Sequence, residues 1–459
     1  MTSRYRTYQI EKLHFRGEGL ATDIESDSHR KIHIANALPG EKVLAVEPDL
    51  EKSEEKTCRR RYACLIDVLE PSPDRCLPEC SQWRRCSACQ YQCLGTDAQQ
   101  KTKFDNWVRL IRRSVELPEN VEFKPALARS GYRHRTDALV FNHTLGMMPR
   151  LDIQLLESEN AATADIRPIP LRECVLHAPE LNQLIEKVEN HLKICDFPEK
   201  LAIGLEANAL AGSESSERIT VYSQPECVES ARKSSEKLWS LLGIPVVFQV
   251  LPPKGSHVYP KPELFGNMIW YGYDVNEYGE ILYAMKGAWT PVNPVNAHLI
   301  RETLKEMVSA YSLGSVLELG CGCGTHTGVF RDHSKEYVGI DASWPAIQSA
   351  QFNAGKYQWQ NVEFYTDTAE HYLDKRYYGG RRADAILMHS NRLPYSQKVA
   401  QWCKRFGARH IFIVAPTAYA LAQECRHFAE LGFSLERLVI CDTLPMTYHQ
   451  MGVVHLCLK

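Results

Sequence analysis

Cys80, Cys86 and Cys89 follow a C-x5-C-x2-C spacing, with Cys76 and Cys93 on either side and Cys174 further along in IPLRECVLHAPELN. Thiolates brought together in this way are metal ligands. Four of them suit either zinc or an iron–sulfur cluster, and spacing alone does not choose between the two. Five cysteines between positions 76 and 93 are too many for chance clustering. A second motif, VLELGCGCGTHTGVF at 316–330, runs a hydrophobic strand into Gly320, Gly322 and Gly324. Without a Cβ, these glycines let backbone pass close beneath a ligand. The next strand ends in VGID, placing Asp341 where a carboxylate can accept both hydroxyls of a ribose. VEFYTD brings Asp367 to the same crevice.

A glycine loop with one acid after the second strand and another after the third resembles the S-adenosylmethionine site of Rossmann-like methyltransferases. An NAD site would show G-x-G-x-x-G, whereas this loop reads G-x-G-x-G. A glycine turn serving packing alone would not need the two acids. Cys321 and Cys323 have no further ligands nearby in sequence and read as small residues of the turn.

The elements that must carry these residues fall into three parts. Residues 1–68 alternate apolar and polar positions in short runs such as YQIEKL and KIHIANALPGEKVLAVEP, as in a small antiparallel barrel of a type that often holds RNA. Residues 69–286 begin with the cysteine loop at 72–94. The spacing of Phe104, Trp107, Val108 and Ile111 then predicts a helix over 97–116. A mixed segment follows, with strands at DALVF, RITVY and VVFQV and a helix at ELNQLIEKVENHLKI. Residues 287–459 alternate helix and strand through SVLELG, EYVGID, VEFYT, ADAILM and HIFIVA, the signature of a parallel sheet covered on both faces. The fold class is thus a β barrel, a central α+β domain and a Rossmann-like α/β domain.

A chain of 459 residues needs more than one core, and 44% hydrophobic with 24% charged residues excludes disorder. No run nears the ~18 apolar residues of a membrane span. The first residues lack the apolar core of a secretory signal, so a cytoplasmic location with reduced thiols is expected. The net charge of −2 does not by itself mark a nucleic-acid binder. Basic clusters at Arg59–Arg61, Arg84 and Arg85, Arg109, Arg112 and Arg113, and Arg133 and Arg135 make the first third the expected polyanion-facing surface, unless they are simply solvated charge. Arg381 and Arg382 form a later pair.

With these residues in view, nearly the whole chain resembles the RNA uracil-C5 methyltransferases, in particular the iron–sulfur members acting on 23S ribosomal RNA. The barrel resembles the family's TRAM domain, CSQWRRCSACQYQCL its cluster loop, SGYRHRTDALV its G-Y-R-x-R strand, and GAWTPVNPVNAHLIRETL the start of its F-x-Q-V-N helix. The resemblance implies a [4Fe–4S] cluster on Cys80, Cys86, Cys89 and Cys174. It also implies S-adenosylmethionine at Gly320, Gly322, Gly324, Asp341 and Asp367, and ribosomal or transfer RNA as substrate, with no membrane or protein partner.

In that family a cysteine thiolate adds to C6 of a flipped uridine, C5 takes the methyl group, and a glutamate removes the C5 proton. Here HIFIVAPTAYALAQE puts Pro416 at the nucleophile position. ILMHSNRLPYS puts His389 at the aspartate of the D-P-P-R loop, while Arg392 remains. LPMTYHQMGVVHL puts Met451 at the glutamate, with His449 kept, and Pro291 replaces a glutamine contact to the cofactor. Neither proline nor methionine can replace the lost groups. Cys403, Cys425 and Cys441 read as core residues rather than displaced nucleophiles. These substitutions argue against 5-methyluridine formation. The sequence therefore points to an RNA methyltransferase with altered chemistry, in which His389 and Arg392 are the candidate catalytic residues and His389 the candidate base. The alternatives are a non-catalytic RNA-binding homologue that keeps both cofactor scaffolds and, third, a redox protein using the cluster.

Overall fold

The computed structural model describes residues 5–22, 31–47, 61–150, 152–154, 168–208, 210, 217–252, 262–266 and 270–458. Strands β1 (Tyr5–Leu13), β2 (Gly19–Thr22), β3 (Lys31–Ile34), β4 (Lys42–Val46) and β5 (Arg61–Glu70) close a barrel in the order β1-β2-β3-β5-β4. Tyr8 and Ile10 of β1 point inward beside Ile32, Ile34, Val43 and Ala63, as period-two alternation requires. A bulge between Ile10 and Lys12 resets the register.

The helix expected over 97–116 spans Thr96–Ile111, and the short strand β6 (Val121–Lys124) follows. A seven-stranded sheet in the order β13-β12-β11-β10-β7-β8-β9 forms the central part. Its strands are β7 (Arg135–Phe141), β8 (Thr144–Met147), β9 (Ile169–Pro170), β10 (Ala202–Ala207), β11 (Glu217–Ser223), β12 (Val246–Val250) and β13 (Glu263–Phe265). The helices Pro179–Cys195 and Val228–Leu242 cover it, and Leu184, Val188, Leu192, Ala231 and Leu238 are buried against Ile203, Ile219 and Val246.

The hairpin β14 (Trp270–Val275) and β15 (Ile281–Met285) leads to the C-terminal sheet. That sheet contains β16 (Leu313–Leu319), β17 (Ser334–Asp341), β18 (Val362–Thr366), β19 (Ala385–His389), β20 (His410–Ala415), β21 (Phe433–Cys441) and β22 (Met451–Leu458). The order is β18-β17-β16-β19-β20-β22-β21-β6. β16–β20 are parallel, as the alternating pattern implies. β22 is antiparallel to both β20 and β21. The sheet separates two apolar cores. One holds Leu319, Ile340, Ile386 and Trp402, and the other holds Leu304, Phe330, Phe412 and Val453.

Two segments cross the boundaries drawn from sequence. β6 adds to the edge of the C-terminal sheet by pairing with β21, and Trp107 and Ile111 of the preceding helix enter that domain's core. The β14–β15 hairpin is fastened to helix Trp344–Lys356, whose Asn353 side chain bonds both the amide and the carbonyl of Tyr283. Among the described residues no helix is long and apolar enough to cross a membrane.

Candidate functional site

Strand order reverses between β16 and β19, and a crevice opens beyond the carboxyl ends of the strands at such a switch point. The chain leaves β16 through Gly320, Gly322 and Gly324, at φ of +79°, +55° and +81°. These are left-handed values that disfavour side chains. A Cβ on Gly320 would stand 3.3 Å from both the Cβ and the carbonyl oxygen of His389, whereas one on Gly322 would meet nothing within 4 Å. The loop is therefore closed beneath and open above. Asp341, at the end of β17, accepts from Gly322 N at 3.0 Å and from Ser343 N at 2.7 Å. Each carboxylate oxygen has two lone pairs, so acceptor capacity for ribose hydroxyls remains. Asp367 follows β18. Its Oδ1 accepts from Thr368 N and lies 2.7 Å from His371 Nδ1.

His389, Pro416 and Met451 converge on the same end of three adjacent strands. His389 pairs with Val414, and Ala415 with Gly452, so Pro416 and Met451 follow at the next register position. His389 Nε2 lies 2.8 Å from Glu318 Oε1, close but not aligned for a hydrogen bond. Its ring stacks on His326 at 4.4 Å. Glu318 is fully buried and also accepts from the Tyr337 hydroxyl. Burial, reinforced by His389 and Arg301, holds the His326 pKa well below the ordinary histidine value. Next to His389, the hydroxyl of Ser390 donates to buried Glu424, which also accepts from Tyr395 N at 2.7 Å. Burial pushes the Glu424 carboxyl up to about 7.

Arg392 is exposed, and its carbonyl accepts from Thr417 Oγ1. Burial and then the charges of Arg392, Lys103 and Arg133 bring His449 down to about 4. Exposed apolar side chains follow the carboxyl ends of three strands: Trp344 after β17, Leu393 after β19 and Tyr419 after β20, at 55%, 74% and 59% exposure. Cys403 and Cys425 are fully buried in one core and Cys441 in the other. Burial raises all three thiols, Cys441 to about 11. Of the residues around the crevice, Glu318, His326, Tyr395 and Glu424 were not singled out from sequence. Glu318 sits inside the glycine motif, but nothing local marks its partner.

The thiols of Cys80, Cys86, Cys89 and Cys174 lie close enough to act on one another. After burial, the other three raise Cys89, to about 12, and Cys174 and Cys80 raise Cys86. Cys174 reaches them because Gly131 and Arg133 pair through their amides with the carbonyls of Val175 and Leu176. Cys76 and Cys93 turn away toward the barrel, where Cys76 N bonds the Cys93 carbonyl and Cys93 Sγ lies 3.8 Å from the Asn36 carbonyl. The cysteine loop also touches the C-terminal domain, where Tyr91 N donates to the Met446 carbonyl at 3.0 Å, and Tyr132, just before β7, donates its hydroxyl to the Pro445 carbonyl at 3.0 Å. Arg59 and Arg60 lie outside the described residues. Arg61 pairs with Glu47, and Arg381 with Glu336 and Glu363.

A methyltransferase-domain family model matches residues 312–436, the stretch holding the glycine loop and most of the C-terminal strands. Over 98% of its length the chain is 25% identical to the 23S rRNA (uracil(1939)-C(5))-methyltransferase RlmD of Vibrio campbellii, covering 95% of that protein. It is 24% identical to the Vibrio parahaemolyticus protein of the same name, with the same coverage. The chain is a homologue of the RNA uracil-C5 methyltransferases. The fold agrees: the tRNA (uracil-54, C5)-methyltransferase of Pyrococcus abyssi, solved with S-adenosyl-L-homocysteine, superposes with a TM-score of 0.71 at 14% identity, over 98% of this chain and 100% of that one. Barrel, central sheet and methyltransferase sheet thus occur together in a homologue of this family.

Proposed function

We propose that this chain is an S-adenosylmethionine-dependent RNA methyltransferase acting on ribosomal or transfer RNA without a cysteine–uridine adduct. One observation carries the reading. The crevice keeps its three left-handed glycines and both acids, and His389, Pro416 and Met451, which the resemblance aligns with the family's aspartate, nucleophile and base, lie at one end of three adjacent strands. S-adenosylmethionine supplies a methyl group on a sulfonium, and the open side of Gly322 with Asp341 beside it fits such a ligand. His389 accepts a proton from the target atom, with Glu318 behind its ring to stabilise the imidazolium. The exposed aromatic faces of Trp344 and Tyr419, at the carboxyl ends of the strands, stack on the base, and the barrel holds the flanking RNA.

By the resemblance to the iron–sulfur members of the family, the four-cysteine group holds a [4Fe–4S] cluster rather than zinc. The cluster would be structural, joining the loop at 72–94 to the central domain through Cys174.

A second reading, an RNA-binding homologue without catalysis, is favoured by Pro291 at the position of a cofactor-contacting glutamine. Nucleoside mass spectrometry of ribosomal and transfer RNA, with and without the gene, separates the two. A methylated nucleoside that disappears in the deletion and returns with wild type but not with Asp341→Ala is the expected result. Identical nucleoside profiles would leave the RNA-binding reading. A lost 5-methyluridine that returns with wild type would overturn the proposed chemistry.

A further inference from the structure

At the opposite end of the C-terminal sheet, strand register gathers three further ligands. Residues 455 and 457 of β22 project from one face because strand side chains alternate. His410, the first residue of β20, pairs directly across from Cys457. His410 Nδ1 lies 3.2 Å from His455 Nε2, Cys457 Sγ lies 3.3 Å from His410 Nδ1, and Cys457 Sγ lies 3.2 Å from His455 Nε2.

This near-equilateral triangle has the dimensions of a metal site. Its centre is ~1.9 Å from each vertex, so an ion displaced ~1 Å from the plane stands ~2.1 Å from all three, within the range of zinc–imidazole bonds and close to that of zinc–thiolate. The rings are held in place. His455 is buried and stacks on Phe412 at 4.5 Å with an interplanar angle of 7°, while Tyr311 lies 4.3 Å from the His410 ring. His410 and Cys457 are only half-buried, so an ion can reach them from solvent.

We propose that His410, His455 and Cys457 bind one zinc ion, with water in the fourth position. On binding, the Cys457 thiol gives up its proton to solvent and its sulfur lone pair to the metal. β20 runs six residues from His410 to Ala415, which puts this site ~16 Å from the cofactor crevice and makes it independent of methyl transfer. The ion ties the start of β20 to the end of β22.

The test uses the full-length protein, purified anaerobically after growth with zinc, and reads metal content and zinc titration by calorimetry. About one zinc per chain is expected in wild type and in Cys80→Ala. Affinity should fall roughly a hundredfold or more in Cys457→Ser and in His410→Gln. Cobalt(II) should give a thiolate charge-transfer band in Cys80→Ala that is missing in the Cys80→Ala/Cys457→Ser double variant. Thermal melts of zinc-free Cys457→Ser and His410→Gln should superpose on that of zinc-free wild type, showing that these variants fold. Zinc binding unchanged in both variants, or zinc lost in Cys80→Ala instead, would overturn the proposal.

Discussion

Lys103 and Asp442, 339 positions apart, meet in a buried ion pair, with Nζ 2.6 Å from Oδ1 and both side chains under 5% exposed. The same ammonium donates to the carbonyls of Leu444 and His449, and Gln450 bonds back to the Lys103 carbonyl. One helix thereby holds the 442–450 segment against the cysteine loop on one side and the crevice on the other. Removing one partner leaves an unpaired buried charge. Lys103→Met should therefore cost roughly 3–5 kcal/mol in chemical denaturation. Lys103→Met with Asp442→Leu should recover much of that loss. A single variant as stable as wild type would show that the pair is not what anchors the segment.

Asp341→Ala should weaken S-adenosylmethionine binding by roughly five- to a hundredfold in calorimetry, because ribose hydroxyls lose an acceptor worth ~1–3 kcal/mol. The variant also frees the Gly322 and Ser343 amides. Asp341→Asn, which keeps an oxygen for one of them, should fall between the two. Equal affinities across the series would remove the ribose contact.

Cluster content is measured directly. Anaerobically purified protein should hold about four irons and four sulfides per chain, and Cys174→Ala should lose them together. Zinc that disappears with Cys174→Ala, in the absence of iron, would identify the cysteine site as a zinc site instead.

Incubation with S-adenosylmethionine and 5-fluorouridine RNA should leave no complex that survives denaturation, since neither Pro416 nor Met451 can enter the covalent cycle. Where methyl transfer is measured, His389→Ala should slow it well over tenfold, or about 1.4 kcal/mol and more in barrier. A stable adduct mapping to Cys403, Cys425 or Cys441 would reveal a displaced nucleophile.

Glu424 predicts a pH dependence. Its carboxyl, 4.5 when unperturbed, is raised to about 7 by burial. Between these values the folded protein keeps a proton that the unfolded chain has lost. Stability therefore falls as pH rises through this window, by roughly 3 kcal/mol in all. Glu424→Gln should match wild type near pH 4.5 and exceed it at pH 8 in thermal melts. A constant difference across that range would mean that Glu424 does not titrate there.

The sequence by itself determined the features that local pattern encodes. Period-two runs marked the barrel, and the strand HIFIVA spans His410–Ala415 as read. The glycine loop and the two acids at strand ends fell into one crevice because parallel strands bring successive carboxyl ends together. Cys80, Cys86 and Cys89 were legible from their spacing, whereas Cys174 needed the resemblance to be chosen. Other relationships depended on strand register and long-range packing, which leave no local trace. β6 joins a sheet whose other strands begin almost 190 residues later. The helix ends at Ile111, short of 116, where Ser114 N and Val115 N both turn back onto the Ile111 carbonyl. Glu318 behind His389, Lys103 beneath the 442–450 segment, and the triangle of His410, His455 and Cys457 each join residues from separate elements. Only the folded register brings their side chains onto a common face.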